Sequence, residues 1–337
     1  MTRSTLITFA IGALGGLLAQ LVGLPAGALL GASLATSAAA WAKVELHVPG
    51  GLRDGAILVI GVALGSGIDP DFLQYLHRWA TSLAMLAISI TATLYGSSWL
   101  LRRFWKFDRH TAFLSSVPGT FSMVMALVAE GRGKPSTVLV MQTMRLLSLT
   151  AIVPLAVAVL GIDAASGTGK PMGSLSLPVF LALMVPGAAL SLLLRRVGFP
   201  AAFLVGAMLV SAVAHASGLV EGRPPGWILT AGFIVTGATL GSRFTGIGVS
   251  EVLGALGATA AAVGSAAVIS AGFAALTGAL TGLPYGQIWI AFAPGGVEAM
   301  SAIGLALNFD PAYVATHHLF RILVLIALLS VAMRRSR

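Results

Sequence analysis

The chain of 337 residues contains no cysteine, which excludes disulfides, thiol nucleophiles and Cys-based metal sites. Charge is scarce too: Asp, Glu, Lys and Arg make up 9% of the residues, against roughly 25% in ordinary soluble domains. There is no dinucleotide-binding glycine fingerprint and no P-loop, so nucleotide-driven chemistry has no sequence support. The six histidines are scattered apart from His317-His318. A redox enzyme would need metal ligands or a cofactor motif, so we expect no enzyme, no cofactor and no metal site. A direct nucleic-acid binder would need a soluble basic module that reaches a groove, and none is present.

What fills the chain instead is apolar sequence: 57% of residues are hydrophobic and the mean hydropathy is +0.95. The implied class is an all-α, multi-pass integral membrane protein with the lipid bilayer as its main surroundings. The net charge of +9 comes from basic residues in short loops between apolar runs, the pattern of cytoplasmic loops rather than of a ligand patch. The start, Arg3 followed by an apolar run, could pass for a signal peptide. An internal repeat matches that run to residues 180–198, so we read it as a retained first helix.

Apolar runs predict helices near 4–22, 25–42, 54–68, 79–101 and 136–160, and again near 176–194, 200–217, 226–241, 250–280 and 312–333. Segments 110–131 and 285–309 carry Pro-Gly breaks, at Pro118-Gly119 and Pro294-Gly295-Gly296. Proline removes an amide donor and glycine loosens the backbone, so neither segment should be a continuous helix. The halves repeat one another. Leu24-Pro25-Ala26 matches Phe199-Pro200-Ala201 at an offset of 175, and Gly61–Ser66 matches Gly237–Ser242 at 176. Pro118-Gly119 matches Pro294-Gly295, and Arg145 matches Arg321, also at 176. We divide the chain into a first transmembrane repeat (1–160), an inter-repeat loop (161–175) and a second repeat (176–337).

Loop charge sets the relation between the repeats. Arg102, Arg103, Lys106 and Arg109 follow the fourth helix, whereas the equivalent loop near 281–286 has no Lys or Arg. Arg195 and Arg196 follow the first helix of half two, whereas residues 20–25 have none. Equivalent loops of unlike charge should face opposite sides, which requires an odd number of crossings per half. If the broken segments are re-entrant and the N-terminus is inside, basic residues divide 15 inside to 3 outside (Arg78, Lys170 and Arg223); if they cross, the division falls to 12 to 6. The positive-inside rule therefore predicts inverted 5+5 repeats, about ten transmembrane helices plus two re-entrant hairpins.

Arg145 and Arg321 each lie about ten residues into a helix, roughly 14 Å deep at 1.5 Å per residue, and hairpin tips at Pro118 and Pro294 reach a similar depth. Half-helices starting near Thr120 and Val297 would present amide groups and positive dipole ends there. Such a place suits an anionic or zwitterionic group; alternatively each arginine ties down carbonyls or an internal carboxylate. Glu298 sits in the first turn of its half-helix, where it could cap, pair with Arg321, or serve a coupling ion or proton. Its counterpart in half one is Ser122. His317 and His318 align with Met141 and Gln142, and only one of the two histidines can easily face the site. The candidate substrate and ion site is Pro118, Gly119, Ser122, Gln142, Arg145, Pro294, Gly295, Gly296, Glu298, His318 and Arg321. The Gly61/Gly65 and Gly237/Gly241 pairs allow close helix packing, or else line a path.

At these motifs the chain resembles the membrane AbrB family. The family's start "LPAGxLLGA" reads Leu24–Ala32, its "GxxLGS" helix Gly61–Ser66, its "PGGxxxM" break Pro294–Met300, and its last helix Gln142–Leu147 and His317–Leu323. Half one departs from the pattern: Pro118-Gly119-Thr120 replaces a second Pro-Gly-Gly, and Ser122 replaces the acidic residue. The resemblance spans essentially the whole chain and implies a bacterial inner-membrane protein; members carry labels such as regulator of gene expression or ammonia monooxygenase. Together with the paired breaks it leads us to expect an ion-coupled secondary transporter or exporter of a small anionic or zwitterionic solute. H+ or Na+ is the candidate coupling ion, both termini are cytoplasmic, and a homodimer is a candidate assembly. The alternative is a membrane-embedded regulator or sensor that acts on gene expression indirectly.

Overall fold

The computed structural model describes residues 2–68, 79–118, 121–161 and 173–334. Among them the protein is all-helical, with fourteen helices and one isolated bridge, Ser174 to Arg223. Half one contributes α1 (Arg3–Leu21), α2 (Gly27–Trp41), α3 (Gly50–Gly65), α4 (Ala80–Trp105), α5 (Arg109–Ser116), α6 (Phe121–Ala129) and α7 (Pro135–Val159). Half two contributes α8 (Leu177–Arg196), α9 (Ala202–Ala216), α10 (Gly226–Ser242), α11 (Val249–Thr281), α12 (Tyr285–Phe292), α13 (Val297–Ala306) and α14 (Pro311–Arg334). Boundaries shift from the sequence expectation where caps decide them. α3 begins at Gly50, directly after Pro49. α4 runs on to Trp105, with Arg102 and Arg103 at its negative dipole end and Lys106 closing it in the left-handed conformation.

The packing is that of a membrane protein. Leu14, Val185 and Val268 stand exposed on α1, α8 and α11, while Thr8, Ser33, Thr36, Ser89 and Thr259 are buried. Buried hydroxyls mostly return to the carbonyl one turn back, as Thr36 Oγ1 does to Ala32 O at 2.7 Å. Among the described residues six helices are long and apolar enough to cross a bilayer: α1, α4, α7, α8, α11 and α14. The four inner helices α2, α3, α9 and α10 have 15 to 17 residues, about 23–26 Å at 1.5 Å per residue.

Those short helices join the halves. α3 of half one packs on α9 of half two, and α2 of half one packs on α10 of half two. In the first contact a Cβ on Gly61 would lie 2.6 Å from the Leu204 carbonyl oxygen, and Gly65 sits against Met208 and Ser211. In the second, Gly237 sits against Leu29 and Ala32, and Gly241 against Ser33 and Thr36. The glycine pairs are therefore packing surfaces, each half's pair engaging the other half's neighbour helix. The duplication extends to backbone strain. Ala26 and Ala201, each following the repeated Pro, both take positive φ (52° and 51°) at the starts of α2 and α9.

Both Pro-Gly segments are broken, as expected. α5 ends at Ser116 and α6 starts at Phe121; α12 ends at Phe292 and α13 starts at Val297. The first segment leaves beside its own entrance: the Lys134 amide, after α6, donates to Thr111 Oγ1 in the first turn of α5 at 2.9 Å. Two calls from the sequence, Gly119 and the side chain of Ser122, lie outside the described residues, as do residues 162–172 of the inter-repeat loop. The end of that loop is tied to the turn before α10, where the Leu175 amide donates to Arg223 O at 2.8 Å.

Candidate functional site

Each break stops a helix just before a proline, and the carbonyl of the residue at that stop has no helical N–H four residues on to accept from. In half one that carbonyl is Val117 O, which accepts from Arg145 Nη1 at 2.5 Å. In half two it is Ala293 O, which accepts from Arg321 Nη1, also at 2.5 Å. The donors and acceptors are all 176 residues apart, so one latch has been built twice. Of the two roles open to the arginines, tying down a carbonyl is the one each performs with Nη1.

The surroundings of the two latches differ. Gln142 Oε1 accepts from Arg145 Nη2 at 2.6 Å, and Gln142 Nε2 donates to Leu114 O (2.6 Å) and Val117 O (3.3 Å). His318 occupies the matching place in half two, where among the described residues neither of its ring nitrogens has a hydrogen-bond partner; Arg321 Nε and Nη2 and Ser301 Oγ have none there either. Its neighbour His317 faces elsewhere. Ser82 Oγ lies 2.8 Å from His317 Nε2 and also bonds Tyr313 Oη, while His317 Nδ1 lies 2.8 Å from Tyr313 O. A carbonyl only accepts, so Nδ1 carries the proton and Nε2 accepts from Ser82. His317 thus fastens α14 to α4.

A cavity of about 640 Å³ reaches this region. Its mouth carries Arg53, Asp54, Arg195 and Arg243; deeper it is lined by Arg145 and by Gly296, Val297 and Glu298 of the second break. Pro294, Gly295 and Gly296 are buried. Gly296 has φ −66°, open to any residue, and an added Cβ would press only on the tip of Leu146, with Cδ2 at 2.9 Å. Glu298, half-buried in the first turn of α13, faces the cavity.

No ion pair joins Glu298 to Arg321. Arg321 is turned to the Ala293 carbonyl and lies outside the cavity lining, whereas Glu298 is attracted to Arg243. Arg243 closes α10 and lies 4.6 Å over the Phe121 ring, at the start of α6. At the mouth, Asp54 Oδ1 binds Arg53 at 2.9 Å and its Oδ2 lies 3.6 Å from Arg195. The structure therefore brings Arg145, Gly296 and Glu298 to one cavity wall and sets Arg321 and His318 behind it. The mouth residues were read in the sequence only as topology. A signal for Arg243 was there: it aligns with Gly67, as Glu298 aligns with Ser122, so both charges are peculiar to half two.

The comparisons with known proteins agree with the motifs. The chain is 28% identical over 354 residues to "Uncharacterized protein YhjN" of Bacillus subtilis (strain 168), covering 95% of this chain and 90% of that protein. It is 28% identical over 145 residues to "Putative regulator AbrB" of Escherichia coli (strain K12), covering 43% and 42%. The profile of the family described as "Transition state regulatory protein AbrB" matches residues 28–337, and with that match the chain belongs to the AbrB family.

Proposed function

We propose that this protein is an ion-coupled secondary transporter of a small anionic or zwitterionic solute, built from inverted 5+5 repeats with two re-entrant hairpins in the bacterial inner membrane. The observation that carries this is the cavity. It opens among Arg53, Arg195 and Arg243, residues that loop charge assigns to the cytoplasmic side, and ends on a broken-helix tip beside Arg145 and Glu298. Broken helices at the interface of two repeats are where transporters hold their cargo. A volume near 640 Å³ suits a small molecule, since such sites span roughly 300–1,000 Å³. Re-entrance is supported by the bond between Lys134 and Thr111. In this reading the structure is open to the cytoplasm, and the opposite state exchanges the roles of the two halves. Glu298, the carboxylate at the tip, is the group that takes the coupling ion.

The test is flux into proteoliposomes of purified protein under an imposed pH or Na+ gradient, over a panel of small organic anions and zwitterions. Gradient-dependent accumulation supports the reading; no flux for any member, with the protein folded, counts against it. The name of the Escherichia coli relative favours a second reading, a membrane-embedded regulator. A solute that binds without crossing would point there.

A further inference from the structure

The two halves of this protein carry the same arginine latch in two conditions. In half one, Arg145 uses Nη1 on Val117 O and Nη2 on Gln142 Oε1, and Gln142 in turn holds two carbonyls of the break. Only Nε of that guanidinium is without a partner among the described residues. In half two, Nη1 holds Ala293 O, but both Nε and Nη2 of Arg321 lack a partner among the described residues. These two N–H groups lie on the same edge of the guanidinium, the edge that grips a carboxylate with two parallel hydrogen bonds. Arg321 is fully buried, and so are His318 and Ser301.

Orphaned polar groups in such number call for an explanation, since buried donors normally find partners. A void of about 10 Å³ is lined by Ser301 and His318 among apolar side chains that include Leu64, Leu204 and Met208; Arg321, one turn further along α14 from His318, does not line it. Val297 and Ile322 line both this void and the large cavity, so these two side chains form the partition between them. A space of that size takes one water-sized atom, such as a single carboxylate oxygen. Among the described residues neither Arg145 nor Arg321 has a carboxylate within ion-pair distance.

We infer that half two holds an occluded carboxylate subsite formed by the Nε–Nη2 edge of Arg321 with His318 and Ser301, entered when Val297 and Ile322 part, and that Gln142 has closed the same site in half one. One carboxylate oxygen seats between Ser301 and His318 and the group lies along the guanidinium edge. The inference rests on the transport reading only in calling the bound acid a substrate.

The test uses the closed half as its template. Acetate is the probe and acetamide, the same shape without charge, is the control, each added at constant ionic strength to purified full-length protein while thermal unfolding is followed. Acetate should raise the unfolding temperature and acetamide should not, because a ligand bound only by the folded form stabilises it. His318→Gln supplies half two with the residue that blocks the edge in half one. It should fold with an unfolding temperature at or above the parent's and bind acetate about tenfold more weakly or worse, the usual weight of a charge-assisted hydrogen bond. Arg321→Lys, which keeps the charge and loses the edge, should also lose the response, and Gln142→Ala should keep it. An acetate response that survives in His318→Gln, or is matched by acetamide, overturns the subsite. Acetate binding without flux in the proteoliposome assay would sink the transport reading and leave the subsite standing. Organic-anion flux with no acetate response in the parent protein would do the reverse.

Discussion

Replacing Gly65 or Gly241 with alanine should strain the joint between the halves in the same way at two places. A Cβ on Gly241 would lie 2.5 Å from Ser33 O and 2.8 Å from Ser37 N. A Cβ on Gly65 would lie 2.6 Å from Ser211 Cβ and 2.8 Å from Ala212 N. These obstacles are backbone and Cβ atoms, which no rotamer change can move, so the helices themselves must separate. Overpacking of this kind costs about 1–3 kcal/mol. Alanine returns about 1 kcal/mol of helix propensity relative to glycine, which leaves each variant destabilised by up to about 2 kcal/mol. The two sites lie in different interfaces, so the double variant should show the sum within about 0.5 kcal/mol. Gly264 and Gly272 of α11 have nothing within 4 Å of an added Cβ, and alanine there should stabilise by up to about 1 kcal/mol. Equilibrium unfolding in mixed micelles, followed by tryptophan fluorescence, measures all five variants. If Gly65→Ala and Gly241→Ala behave like Gly264→Ala, the reciprocal packing of α3 on α9 and α2 on α10 is wrong.

Further outcomes are expected from the site and the loops. In this cysteine-free chain, single cysteines placed within 131–135 or at 195–196 should label from the cytoplasmic side and those at 173 or 223 from the opposite side; labelling of 173 from the cytoplasm would overturn the inverted arrangement. Glu298→Gln should leave the unfolding temperature near the parent's, because the carboxylate is half-buried without an ion-pair partner, yet flatten the pH dependence of flux; an unchanged pH profile would remove Glu298 from ion coupling. Asp108 caps α5 by accepting from the Thr111 amide at 2.9 Å. Burial pushes its carboxyl up, but the Thr111 and His110 interactions outweigh that and hold it below the ordinary value. Its contribution is therefore present above about pH 4, the unfolded carboxylate range, and is lost as pH falls through the lower folded value. Asp108→Ala should cost about 0.5–2 kcal/mol near neutral pH and less in acid; a penalty that does not shrink in acid would refute the capping role.

Much of the fold was legible because period and punctuation are strong signals in a membrane chain. Pro118 and Pro294 stop their helices at the residues where the amide is missing, and helix boundaries elsewhere fall within a few residues of the apolar runs. The arginines were legible as mid-helix charges, but not their targets: that Nη1 reaches the carbonyl before the proline depends on how α7 and α14 lie against the breaks. Of the roles open to Glu298, the pairing with Arg321 is not formed, for the same reason. Sequence spacing puts Arg321 and Glu298 at similar depth, and depth does not say which side of Val297 and Ile322 each occupies. Arg243 closes the helix α10, whose place beside α13 is set by packing between distant segments.

The offset of 176 residues is informative chiefly where it fails. Where the halves agree, at the latch arginines, the X-Pro carbonyls and the strained alanines, the shared feature builds the fold, because both halves need it. Two of the places where they disagree lie at the site: Arg243 for Gly67 with Glu298 for Ser122, both lining the large cavity, and His318 for Gln142 one turn before Arg321. On the transport reading proposed above, a symmetric scaffold would supply two equivalent states of similar energy. Ligand and ion must then favour one state by differential contact, and contacts that the symmetry would cancel cannot do that. The charges and orphaned donors gathered in half two are unmatched by symmetry, so they are the groups through which a bound anion or proton could bias the exchange.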